Sequence, residues 1–117
     1  MSDNADYWAP MAGEGGMTAL HYAAYRQDLA AVSQCVERGF NVNQKDDGGW
    51  TPLVWCIDMA STGEVGVAEA IIDYLIAHGA TLEYPNKDYD SLVDFARSRD
   101  DAVAEHVERI LANERTA

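Results

Sequence analysis

Basic residues are scarce in this chain: 8 Lys and Arg stand against 20 Asp and Glu, a formal charge of −12 over 117 residues. Binding to a nucleic-acid backbone, which rests on Lys and Arg neutralising phosphates, is therefore not expected. Attachment to an anionic membrane is disfavoured for the same reason. Cysteine is nearly absent too. The two thiols, Cys35 and Cys56, form neither a metal motif nor a disulfide framework. Both fall within apolar helical patterns, where free Cys acts as a small buried hydrophobe. No apolar run approaches the length that spans a bilayer. The opening MSDNADYWAPMAGEGG lacks the basic-then-apolar order of a secretory signal. These absences make a cytoplasmic protein the expectation. The excess negative charge points to a partner with a basic surface, or serves solubility alone.

Catalytic constellations are missing as well. No two of His21, His78 and His106 are spaced for a shared metal, and no Ser/His/Asp order emerges. The doublets Asp46-Asp47 and Asp100-Asp101 lack the D-x-D-x-D-G register of a calcium loop. Asp100-Asp101 instead suits a helix N-terminus, and His78, just before Gly79, suits a helix C-terminus. GEGG at 13–16 has no lysine and no preceding strand, so it does not read as a phosphate loop. The expectation is no catalytic residue, no cofactor, no metal and no enzyme.

What the chain does contain is self-similarity. MTALHYAA at 17–24 returns as WTPLVWCI from Trp50, with Thr51 lying 33 residues after Thr18, and more faintly as YDSLVDFA from Tyr89. Leu20, Leu53 and Leu92 hold the same place in each copy. Apolar residues make up 48% of the chain, enough for a modest core in one domain. A period near 33 residues describes stacked helix pairs, each unable to bury its own apolar face alone. Thr18 caps a short helix with Ala23 and Ala24 on a small-residue face, and Leu29, Val32, Cys35 and Val36 line a second helix ending at Gly39. Thr51 and Pro52 open the next pair, whose second helix carries Val67, Ile71, Ile72, Leu75 and Ile76 up to Gly79. Thr51 to Gly79 is 28 residues where Thr18 to Gly39 is 21, so about seven extra residues are placed around the inter-helix turn of this unit. A third pair starts with Asp90 or Ser91 as cap. It carries Leu92, Phe95 and Ala96, then Val103, Val107, Ile110 and Leu111, with the polar outer face of a capping unit.

With T-A-L-H-Y-A-A at 18–24, R-G-F-N-V-N at 38–43, T-P-L-V-W at 51–55 and H-G-A-T-L at 78–82, the chain resembles the ankyrin-repeat family over residues 17 to about 112. The resemblance implies an all-α solenoid of helix-turn-helix units with projecting finger loops. It divides the chain into an N-terminal segment 1–16, acting as cap or tail through Tyr7, Trp8 and Met11, and repeats at 17–49, 50–88 and 89–117. It also makes Thr18 and His21 a structural brace. Departures fall in the second unit, with Val54 where His is usual and Cys56-Ile57 where Ala-Ala is usual.

In that family the partner lies against the finger loops and the exposed face of each first helix. Carried over, this places Tyr22, Tyr25 and Arg26 on the face in unit one, Trp55, Asp58 and Met59 in unit two, and Asp94, Arg97 and Ser98 in unit three. The loops contribute Asp46, Asp47 and Trp50, then Tyr84, Lys87, Asp88 and Tyr89. Aromatics among carboxylates have the composition of a binding hot spot, the carboxylates steering a cationic partner. An alternative has Trp50 and Trp55 packing internally. The expected function is non-enzymatic protein binding. Small acidic proteins of this family resemble immunity proteins that neutralise a basic bacterial toxin, and the alternative is a scaffold or adaptor whose acidity serves only solubility.

Overall fold

Seven residues are too few for a stable isolated helix, so helix α1 (Ala19–Tyr25) depends on its cap and its neighbours. The computed structural model, which describes residues 16–116, gives it both. The Thr18 side chain accepts the His21 N–H while the His21 ring accepts the Thr18 N–H, a reciprocal capping box. Ala19, Leu20, Ala23 and Ala24 are all buried. Helix α2 (Leu29–Glu37) starts on Asp28, whose carboxylate accepts the Ala31 N–H at 3.0 Å. It ends at Gly39, where φ is +96°. The Gly39 N–H bonds to Val36 and the Phe40 N–H to Cys35, a pairing that needs a left-handed residue at that point.

Helix α3 (Pro52–Asp58) has Thr51 as cap and proline at its first position. A single turn of 3₁₀ helix follows at Ala60–Thr62, then α4 (Val65–Ala77). Gly79 repeats the left-handed ending at φ +99°. The seven extra residues of this unit are divided, not gathered in its turn. Residues 59–64 replace the three-residue turn 26–28, and α4 has 13 residues where α2 has 9. Lengthening the second helix buries more apolar surface than a longer loop would, since Ala68, Ile71, Ile72 and Leu75 are all fully enclosed.

Ser91, not Asp90, caps α5 (Leu92–Arg99), accepting the Asp94 N–H. Asp100 alone joins it to α6 (Asp101–Thr116), and the Asp100 carboxylate accepts the N–H groups of Ala102 and Val103. The described residues form six helices in three antiparallel pairs, with no strand among them. The first helices α1, α3 and α5 stack in one layer and α2, α4 and α6 in the other. Leu20, Leu53 and Leu92, the residues that mark the sequence period, sit in the core between layers at 0–3% exposure. Cys35 and Cys56 lie there as free thiols. Tyr7, Trp8 and Met11 lie outside the described residues.

Polar bridges fix one pair to the next. His21 Nε2 reaches the Trp50 carbonyl oxygen at 2.9 Å. Since Nδ1 already accepts the Thr18 N–H, the proton is on Nε2 and the ring is neutral. Gln27, at φ +59°, uses its side-chain amide to donate to Ala24 and Cys56 carbonyls across the first turn. Asn43 donates to the Gly79 carbonyl and accepts the Thr81 N–H, tying the two long loops side by side. His106 on α6 meets Asp73 on α4 at 2.7 Å. The second unit has Val54 at the His21 position, fully buried, so the imidazole brace occurs once and the side-chain amide of Asn43 links the next loop instead.

Candidate functional site

Aromatic side chains form an unbroken row in the angle between the loops and the first-helix layer. Tyr22 stacks on Tyr25 with ring centroids 5.7 Å apart, and Tyr25 meets the edge of Trp55 at 5.6 Å. Trp55 contacts Trp50 at 4.7 Å, and Trp50 meets Phe95 at 5.5 Å. Phe95 then packs on Tyr84 at 4.6 Å and Tyr89 at 5.5 Å. The row runs from α1 through α3 and the first loop to α5 and the second loop, so all three units contribute. Each such pair adds about 0.5–1.5 kcal/mol beyond the area it buries.

Loop and helix positions explain the row. Tyr22, Trp55 and Phe95 sit about one helical turn into α1, α3 and α5. Trp50, Tyr84 and Tyr89 come up from the loops to meet Trp55 and Phe95, while Tyr22 meets Tyr25 on its own helix. Asp46 fixes the centre. Its Oδ1 accepts the N–H groups of Gly48 and Trp50, and its Oδ2 accepts the Trp55 indole N–H at 2.8 Å. That carboxylate shapes the site from inside and has little left for a partner. Asp58 is committed likewise: Arg99 Nε donates to it at 2.7 Å, and the pair is mostly shielded, at 18% and 31% exposure. These two carboxylates, expected to steer a cation, instead hold the site's own parts.

The other expected residues fall as follows. Arg26 lies over the Tyr22 ring at 5.4 Å. Tyr25 is 36% exposed, and Met59, half-buried, ends α3. Asp47, Asp88 and Asp94 are exposed. Asp88 accepts the Tyr84 hydroxyl at 2.8 Å, and burial followed by that bond pushes the phenol up from its ordinary pKa. Hydrogen bonds from Ser98 and then Arg99 hold the Tyr89 phenol below its ordinary value. Arg97 pairs with Glu108 of α6 at 3.6 Å. Trp50 and Trp55 are half-buried: each packs internally and each still borders open space.

Two adjoining hollows open on the row. One of about 340 Å³ is lined by Met17, Asp46, Asp47, Gly48, Trp50 and Trp55, the other of about 270 Å³ by Met17, Tyr22, Tyr25 and Trp55. Met17 and Arg99 belong to the site, though sequence reasoning left them out. Arg99 lies 4.7 Å over Phe95 while holding Asp58. Its position in the last turn of α5 was readable, but a contact with a residue 41 places earlier has no local signature. Among the described residues no group of His, Cys, Asp and Glu is arranged to hold a metal, and no helix is long and apolar enough to cross a membrane.

Known proteins share this architecture. The family model described as "Ankyrin repeats (3 copies)" matches residues 4–88. An ankyrin repeat domain from Acinetobacter baumannii superposes with a TM-score of 0.69 at 28% identity, over 84% of this chain and 47% of that one. Protein phosphatase 1 regulatory subunit 27 of Homo sapiens is 37% identical over 76 residues, 64% of this chain and 44% of the relative. Acyl-CoA-binding domain-containing protein 1 of Arabidopsis thaliana is 40% identical over 55 residues, 47% of this chain and 15% of the relative. The matched part spans less than half of each of these proteins. Capped helix pairs stacked in two layers, a Thr18–His21 brace reaching into the next loop, and a family match over most of the chain agree: this protein belongs to the ankyrin-repeat family, a fold that binds other proteins.

Proposed function

We propose that this chain acts as a non-enzymatic inhibitor that holds a basic protein partner on the aromatic row. The single observation that carries the reading is the continuity of that row, from Tyr22 to Tyr89 across all three units through the buried Phe95, with two hollows open along its stretch from Tyr22 to Trp50. Tyr and Trp anchor interfaces because they bury large areas at little loss of side-chain freedom. The charge of −12 supports a basic partner, as do the exposed carboxylates Asp47, Asp88 and Asp94 along the row. Neutralising a basic toxin is the form of inhibition that this charge favours. Two buried, unpaired thiols suit a reducing cytoplasm.

A second reading, an adaptor with an apolar footprint, draws on a different observation. Asp46 and Asp58 spend their charge inside the molecule, which leaves fewer carboxylates to steer a partner. Salt separates the two. Titration calorimetry with the product of a neighbouring gene, at about 50 and 500 mM salt, gives a basic partner at least tenfold weaker binding at the higher value. Affinity that does not change with salt sinks the inhibitor reading and leaves the adaptor.

A further inference from the structure

The aromatic row carries two of the chain's own guanidinium groups, one toward each end: Arg26 over Tyr22 at 5.4 Å and Arg99 over Phe95 at 4.7 Å. Between them stand Trp50 and Trp55, and indole is the ring that attracts a cation most strongly. Among the described residues no guanidinium lies over either indole. Space is left there instead, the 340 Å³ hollow bordered by Asp46, Asp47 and Gly48.

The two hollows differ in charge. The one against Tyr22 and Tyr25 has no carboxylate on its wall among the described residues. The one over the indoles has two. Asp46 gives both oxygens to N–H groups of its own chain. Asp47 is exposed and makes no ion pair among the described residues. Asp47 therefore brings to the hollow a negative charge with no ion-pair partner among the described residues, beside Trp50 and Trp55. A planar guanidinium satisfies both at once, stacking on indole while donating to the carboxylate, which a compact ammonium does less well. Met17 and Trp55 line both hollows, so one segment can fill the two. In an extended chain, side chains two residues apart project on the same side.

We propose that the hollow over Trp50 and Trp55 receives an arginine of the partner with Asp47 as its counter-charge. The hollow against Tyr22 and Tyr25 receives an apolar side chain two residues away. This rests on the reading that the partner docks on the aromatic row, and it adds the chemistry of the contact.

The test uses the full chain, labelled with nitrogen-15, and three capped peptides: Leu-Ser-Arg-Ser-Leu, Leu-Ser-Glu-Ser-Leu and Ser-Ser-Arg-Ser-Ser. The indole N–H resonances of Trp50 and Trp55 report occupancy. The first peptide should shift both and bind at least about tenfold more tightly than either other one. Asp47→Asn should reduce the preference for arginine over glutamate to below about threefold, while the rest of the spectrum stays native. Equal affinities for the three peptides, or indoles unmoved at about 5 mM peptide, would overturn the assignment. A protein partner that shifts both indoles when the peptides show no preference overturns the arginine and leaves the docking face. A partner that shifts neither indole overturns both.

Discussion

The indole N–H of Trp55 donates to Asp46 Oδ2 across 2.8 Å, joining helix α3 to the loop that precedes it. The other oxygen of the same carboxylate holds the N–H groups of Gly48 and Trp50, so one side chain sets both the loop and the orientation of the two indoles. Removing it leaves three donors without their acceptor. Asp46→Ala is expected to destabilise the fold by about 1–3 kcal/mol, and Asp46→Asn by less. Urea unfolding measures this, and an unchanged midpoint would show that the loop is held by something else.

His21 links stability to pH. Burial lowers its pKa below the ordinary 6.5, opposed by the hydrogen bond to the Trp50 carbonyl. The neutral ring is the form that the native bonds require, because protonating Nδ1 destroys the acceptor for Thr18. The unfolded chain takes up a proton near pH 6.5 and the folded chain only at lower pH. The histidine's contribution is therefore complete above 6.5 and is lost as pH falls from there through the lowered folded-state value. Unfolding free energies at a series of pH values, for the native chain and for His21→Gln, isolate it. The native chain should lose more stability than the variant as pH falls below 6.5; parallel curves would contradict the buried neutral ring.

Both thiols are predicted to be inert. Burial pushes Cys35 up to about 11 and Cys56 up to about 12, so at neutral pH neither offers thiolate. A colourimetric disulfide reagent at pH 8 should report no fast-reacting thiol in the native chain and two in denaturant. A rapid native reaction would mean that the core opens at Cys35 or Cys56 far more readily than its packing implies.

Asp58 and Arg99 lie in the second and third units and are predicted to couple them. The pair is largely shielded, and the Arg99 guanidinium also lies on Phe95. A double-mutant cycle with Asp58→Ala and Arg99→Ala should give a coupling of about 0.5–2 kcal/mol. Asp58→Lys should lower the melting temperature as well as any affinity for a partner. A coupling of zero would return Asp58 to the role of a free surface charge.

The period of the chain was legible because its cause is local. Thr18, Thr51 and Ser91 cap helices by bonds within three residues, Gly39 and Gly79 end them by their left-handed backbone, and the buried Leu positions follow from helix geometry. The resemblance carried by T-A-L-H located the brace at His21, and the structure adds its second arm, to Trp50. Tyr22, Tyr25, Trp50, Trp55, Tyr84 and Tyr89 were also readable, as large side chains at repeat positions, whereas Phe95, the buried link between Trp50 and the loop tyrosines, read only as core. The carboxylates were not. Asp46, Asp47, Asp58 and Asp94 look alike in sequence, and only folding decides which meets a donor. Asp46 turns to an indole 9 residues on and Asp58 to an arginine 41 residues on, while Asp47 and Asp94 stay exposed. The seven extra residues of the second unit were counted correctly and placed too narrowly, because apolar α4 could lengthen by another turn at no polar penalty.

Docking on the aromatic row is the centre of this account, and amide hydrogen exchange tests it most directly. Exchange is followed for the chain alone and saturated with its protein partner. Docking on the row slows exchange in residues 17–26 and 46–59, with α2 and α4 little changed. Protection confined to α2 and α4, with those two segments exchanging as in the free chain, would place the partner on the opposite layer and contradict the assignment.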